Sequence, residues 1–115
     1  MEKPIIYPTM ERIIEYNLLA LTTIKAKKAD EPKVLSASKI NEVILSCEGL
    51  QGDILDKAVC LLKGIIQRHP FASGNRRTAF IVVKDFLSRN QVQFNIKDSP
   101  ELAKVLLGIR EKLLH

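Results

Sequence analysis

The sequence predicts a compact, mainly helical bundle, and three observations carry that expectation. Apolar residues recur at helical spacing in five segments, and glycine and proline punctuate the boundaries between them. Only one short stretch alternates polar and apolar residues with period two, and one such arm cannot make a sheet. With 115 residues, 46% hydrophobic and 27% charged, the chain has the size and composition of one domain with a single modest core, taken as residues 1–115.

The elements follow in order. Thr9 caps a first helix with Glu11 in its opening turn, and Met10, Ile14, Leu18 and Leu21 form its apolar face. Residues 25 to 33, "KAKKADEPK", read as a charged surface loop. Ser38 begins a shorter helix carrying Ile40, Val43, Ile44 and Cys47. Gly49 and Gly52 mark the next turn, after which Asp53 caps a long helix running toward His69. Its stripe of Ile54, Leu55, Ala58, Val59, Leu61, Leu62, Ile65 and Ile66 is too wide for a surface helix, so it is central. Pro70 stops it, because the residue before proline is disfavoured in the α region. A second central helix carries Ala79, Val82, Val83, Phe86 and Leu87. Residues 91 to 97, "QVQFNIK", suggest a short extended arm, and Ser99-Pro100-Glu101 opens a last helix buried through Leu102, Val105, Leu106 and Ile109.

Several function classes recede at once. No apolar run approaches bilayer length and the first residues lack a signal-peptide core, so the expected location is the cytosol, away from membranes. Cys47 and Cys60 form no CxxC pair and no cluster has metal-ligand spacing, so no protein metal centre is expected and both thiols read as small, partly buried side chains. Net charge is +5, which favours anionic partners without naming one. Nucleic acid is not among the expected ones, because the lysines and arginines are dispersed and no recognition signature is present.

Chemistry concentrates in residues 68 to 80, "RHPFASGNRRTAF", between the two central helices. Gly74-Asn75-Arg76-Arg77 opens a helix whose first backbone N–H groups have no internal partners and sit at the positive end of the helix dipole. Glycine lets a phosphate approach the backbone, and the arginines add charge-assisted hydrogen bonds. Asn75 can bind a phosphate or cap the helix, Phe71 is expected to pack beneath the loop, and His69 can take a proton from an incoming hydroxyl. The same residues also read as a plain polar turn, with the histidine serving the dipole of the preceding helix.

"HPFASGNRRTA" resembles the signature of the Fic/Doc family, H-P-F-x-(D/E)-G-N-x-R, matched by His69, Pro70, Phe71, Gly74, Asn75 and Arg77. The flanking "GDILDKAVCLLKGIIQ" and "RTAFIVVKDFLSRNQVQF" look like the central helices of its Doc-like branch, and "YPTMERIIEYN" like that branch's opening helix. The resemblance implies an all-α Fic/Doc-type helical bundle whose loop between the central helices binds a nucleotide. It implies that His69 is the base for a Ser, Thr or Tyr hydroxyl of a target protein. Ser73, Gly74, Asn75, Arg76 and Arg77 would then hold the nucleotide, the backbone around Gly74, Asn75 and Arg76 as an anion hole and Arg77 as a clamp. ATP would be the co-substrate, with Mg²⁺ on its phosphates. Fic members mostly transfer AMP, whereas the Doc-like branch implies phosphoryl transfer by a toxin held in check by an antitoxin partner.

The sequence departs from the pattern in places. Ser73 stands where the metal-binding Asp or Glu belongs and brings no negative charge. Weak or metal-independent activity, a carboxylate supplied from elsewhere, or a degenerate module that binds a nucleotide or partner without catalysing are all compatible with it. Phe80 takes the place of a further arginine usual in AMP-transferring members, which points to the Doc-like branch; it also reads as a core-facing residue. "SKINEV" has Ser38 and Glu42 spaced as in the family's self-inhibitory helix, but Val43 replaces its Gly or Asn, and an ordinary surface helix is the expectation.

Overall fold

The computed structural model describes residues 3–23 and 32–93. Four helices follow one another: α1, Met10–Thr23; α2, Ala37–Gly49; α3, Ile54–Arg68; and α4, Asn75–Arg89. Among the described residues there is no strand, only a single antiparallel bridge between Val34 and Phe71. The all-α expectation holds for them. Four of the expected elements are therefore in place; the last helix, residues 94 to 97 of the arm and most of the 25–33 loop lie outside the described residues.

Local chemistry sets the helix ends. The Thr9 hydroxyl accepts the Arg12 N–H at 3.2 Å and starts α1. A reciprocal capping box opens α3: Asp53 accepts the Asp56 N–H at 2.9 Å and Asp56 accepts the Asp53 N–H at 2.9 Å. For α2 the cap is Ser36, whose hydroxyl accepts the Lys39 N–H at 3.2 Å, so the helix begins at Ala37, ahead of the expected start at Ser38. The reason lies outside the helix. The N–H groups of Leu35 and Ser36 both donate to the Pro70 carbonyl, at 2.8 and 3.2 Å, which holds Ser36 extended and leaves it the capping position.

The central pair is α3 and α4, with α2 packed on α3 and α1 on α4. Ile13, Ile40, Leu61, Leu62, Ile65, Phe71, Val82, Val83, Phe86 and Leu87 are almost completely buried where these faces meet. Each large side chain removed from water contributes about 1.5–3 kcal/mol. Gly64 lets α2 approach α3 closely, since a Cβ there would lie 3.1 Å from a Val43 methyl. Lys57 is buried too, and its ammonium donates to the carbonyls of Cys47, Glu48 and Leu50 at 2.9, 3.3 and 2.8 Å. It thereby caps the C-terminus of α2 from α3. Cys47 is buried and Cys60 half-buried, and both are free thiols.

Two expected faces are corrected. Leu18 is 48% exposed, and the inward face of α1 is Ile13, Asn17, Ala20 and Leu21. Phe80 does not face the core; it is 37% exposed, one step round from the buried row of Ala79, Val82, Val83, Phe86 and Leu87.

Candidate functional site

The loop from His69 to Gly74 is fixed residue by residue. His69 terminates α3 in the left-handed conformation, φ 53° and ψ 56°, with its N–H donating to the Ile65 carbonyl at 3.1 Å. That turn leaves the imidazole-bearing residue exposed at the mouth of the loop. Pro70 is buried and its carbonyl accepts from Leu35 and Ser36, while the Ala72 N–H donates to the Lys33 carbonyl at 2.9 Å. The strip from Lys33 to Ser36 thus flanks the loop on one side. Phe71 is wholly buried and anchors the loop in the core, as its sequence context implied.

Asn75 acts on the loop through its side chain. Its Oδ1 accepts the Phe71 N–H at 3.0 Å and its Nδ2 donates to the Phe71 carbonyl at 2.9 Å, with Asn75 itself 4% exposed. The side chain thus clamps the loop backbone, a use that its sequence context did not indicate. The Asn75 main-chain N–H remains part of the first turn of α4. Gly74 precedes that turn with φ 76° and ψ 19°, and its carbonyl accepts the Thr78 N–H at 2.8 Å. A side chain at Gly74 would be strained by that φ, and its Cβ would lie 2.9 Å from Leu21 Cδ2.

A left-handed residue followed by a right-handed one turns successive N–H groups toward a common side, the arrangement that binds anions. Gly74 and Asn75 form such a pair, so the N–H groups of Gly74, Asn75 and Arg76 share one face at the positive end of α4. No acidic residue stands in the first turn of α4, whereas Arg76, half-buried, and Arg77, 8% exposed, do. The first turn of α4 therefore carries basic and no acidic side chains next to those N–H groups. The neighbouring Arg68 is already paired, donating to Glu42 at 2.8 Å. Glu42 lies on the outer side of α2, and the "SKINEV" stretch runs within that helix, with Ile40 and Val43 buried.

The candidate residues His69, Ser73, Gly74, Asn75, Arg76 and Arg77 thus lie on one loop and the helix turn that follows it. The sequence reading missed a residue from a distant element. Asn17, on α1 and 2% exposed, donates from Nδ2 to the Ser73 carbonyl at 2.9 Å and to the Thr78 hydroxyl at 3.1 Å. The signal for it was an asparagine in the row Ile13, Asn17, Leu21, where helical periodicity calls for an apolar residue.

A metal held by protein carboxylates does not fit these residues. The motif position for the acid is Ser73, a neutral hydroxyl, and among the described residues no group of three or more His, Cys, Asp or Glu converges. No helix of the described residues is long and apolar enough to cross a membrane.

The model of the Fic/DOC family matches residues 12–87, which take in α2 and α3, most of α1 and α4, the whole 69–78 segment and Asn17. No curated protein and no solved structure matches the chain.

Proposed function

From the membership of this chain in the Fic/DOC family, which the match over more than half its length shows, we propose a transferase that modifies a hydroxyl of a target protein with a nucleotide-derived group. The observation that carries the reading is the junction of Gly74 and Asn75, a backbone anion cradle flanked by two arginines and preceded by an exposed histidine. In this reading the phosphates of ATP rest on the N–H groups of Gly74, Asn75 and Arg76, with Arg77 supplying fixed positive charge. His69 takes the proton from a Ser, Thr or Tyr hydroxyl as its oxygen bonds to phosphorus. The opposite P–O bond breaks with departure of ADP if the γ-phosphoryl group moves, or of pyrophosphate if AMP moves. Either way the protein contributes positioning and charge stabilisation rather than a covalent intermediate.

Within the family we place the chain in the Doc-like branch. Phe80, where AMP-transferring members carry an arginine, supports that assignment and phosphoryl over AMP transfer. The placement carries with it a cytoplasmic toxin and a separate antitoxin chain; the basic surface suits an acidic partner. Magnesium, if it takes part, arrives with the nucleotide, since Ser73 offers it no charge. The same serine favours one second reading, a degenerate member that binds a nucleotide or a partner without transfer.

The test uses cell extract with Mg²⁺ and ATP labelled in parallel at the α or γ phosphate, comparing wild type, Ser73→Asp and His69→Ala. Label from the γ position alone on a protein identifies phosphoryl transfer, and label from the α position identifies AMP transfer. A silent wild type with an active Ser73→Asp locates the deficit at position 73. Saturable ATP binding with no transfer by either supports the binding module, and transfer surviving in His69→Ala removes His69 from the base role.

A further inference from the structure

Asn17, on α1, donates a hydrogen bond to the loop backbone, and its target is the one peptide whose orientation matters most to the cradle. A trans peptide directs its C=O and N–H to opposite sides. No peptide bond among the described residues is cis, so holding the Ser73 carbonyl toward α1 obliges the Gly74 N–H to point away from α1. Away from α1 is the side on which Gly74, left-handed at φ 76°, lines up its N–H with those of Asn75 and Arg76.

The constraint is needed because glycine does not supply it. The planar peptide unit preceding glycine reorients more easily than one preceding other residues, since glycine populates positive and negative φ about equally. Phe71 and Ala72 are tied by Asn75 and Lys33, and Thr78 begins the regular ladder of α4. Asn17 closes the gap between these two fixed regions. The second bond, to the Thr78 hydroxyl at 3.1 Å, orients the Asn17 amide so that its donor face meets both acceptors. Asn17 and Thr78 are both buried, so water does not compete for the bond that orients the amide.

We infer that Asn17 is a positioning residue of the anion cradle: it fixes the peptide joining Ser73 to Gly74 so that the Gly74 N–H is a preset phosphate donor. This rests on the reading of the loop as a phosphate site. Asn17 touches neither phosphate nor the reacting hydroxyl and acts through the backbone alone.

The experiment is a titration of the ¹⁵N-labelled full chain with inorganic phosphate, following the amide signals of Gly74, Asn75 and Arg76 in wild type, Asn17→Ala and Thr78→Val. In wild type all three amides shift together. In Asn17→Ala the dispersed spectrum of a folded chain persists, the Gly74 amide no longer responds, and phosphate binding weakens about tenfold, the loss of one preset donor to an anion. Thr78→Val removes only the bond that orients the Asn17 amide and keeps the packing, so the Gly74 response shrinks and binding weakens about threefold. Should Asn17→Ala fail to fold, Thr78→Val decides. An unchanged Gly74 response and unchanged affinity in the folded variant overturn the proposal while leaving the phosphate site standing. So does a wild type in which Asn75 and Arg76 respond and Gly74 does not. A wild type in which none of the three amides responds overturns the phosphate site itself, and the role of Asn17 with it.

Discussion

Asn75 holds both polar groups of the Phe71 backbone, accepting its N–H at 3.0 Å and donating to its carbonyl at 2.9 Å. The ring closed by these bonds joins the buried anchor of the loop to the first residue of α4. A side chain in the midst of the family motif is thus occupied with loop geometry, while its main chain opens α4. Asn75→Ala strands a buried N–H and a buried C=O, and the expected loss is about 2–4 kcal/mol. Urea unfolding monitored by circular dichroism measures it. A loss within about 0.5 kcal/mol, the range of an ordinary surface change, would show that the clamp contributes nothing to stability.

Gly74 and Leu21 supply a second test. Gly74→Ala meets two separate penalties, a left-handed backbone costing about 1–2 kcal/mol for a residue with a Cβ, and a contact 2.9 Å from Leu21 Cδ2. Only the second depends on Leu21. In a double-mutant cycle with Leu21→Ala, the penalty of Gly74→Ala should shrink by about 1 kcal/mol without vanishing. A penalty the same in both backgrounds would mean that Leu21 does not restrict this position.

The helices were legible in the sequence because each carries its own period and its own stop signal. Asp53 and Pro70 bracket α3 by local chemistry alone, and the loop's candidate residues are contiguous, so one motif gathered them. What escaped depended on other segments. The sequence placed the start of α2 at Ser38, whereas Pro70, distant along the chain, holds the residues before α2 and gives the cap to Ser36. Leu18 looked buried because it follows Met10 and Ile14 at helical spacing; the inward place goes instead to Asn17, a polar group that becomes an interior residue only when Ser73 and Thr78 meet its donors. Phe80 misled for the opposite reason, since large apolar side chains are also found at the surface.

The buried thiol of Cys47 predicts a pH dependence. Burial in the core, reinforced by the neighbouring Cys60, pushes its pKa from the ordinary 9.0 up to about 12. The folded chain therefore keeps the proton that the unfolded chain gives up. The contribution is fully present below about pH 9 and is lost as pH rises toward 12, with a limiting slope of about 1.4 kcal/mol per pH unit. Tyr16, raised to about 12 by burial and by its hydrogen bond to Asp85, acts in the same direction but only from pH 10 upward. Denaturation midpoints between pH 8 and 10 isolate the cysteine: wild type should lose stability over that interval faster than Cys47→Ala. Equal slopes would place the Cys47 thiol in contact with solvent.

His69 brings stability and activity into opposition. At φ 53° and ψ 56° it occupies the helix-ending position that glycine fills without strain, and a side chain there costs about 1 kcal/mol or more. In the proposed function the strain is borne because the side chain serves as the base. His69→Gly should relieve the backbone and raise stability by about 0.5–1 kcal/mol, the gain being trimmed by the greater freedom of glycine in the unfolded chain. His69→Ala keeps the strained backbone and should fall at or slightly below wild type. The stability order expected from thermal unfolding is Gly, then His, then Ala, while both variants lose transfer of label from ATP completely. Loss of activity in a variant more stable than wild type removes unfolding as its cause and leaves the imidazole. A His69→Gly variant less stable than wild type would show that the histidine side chain holds the end of α3, and the case for keeping it as a base would then rest on transfer alone.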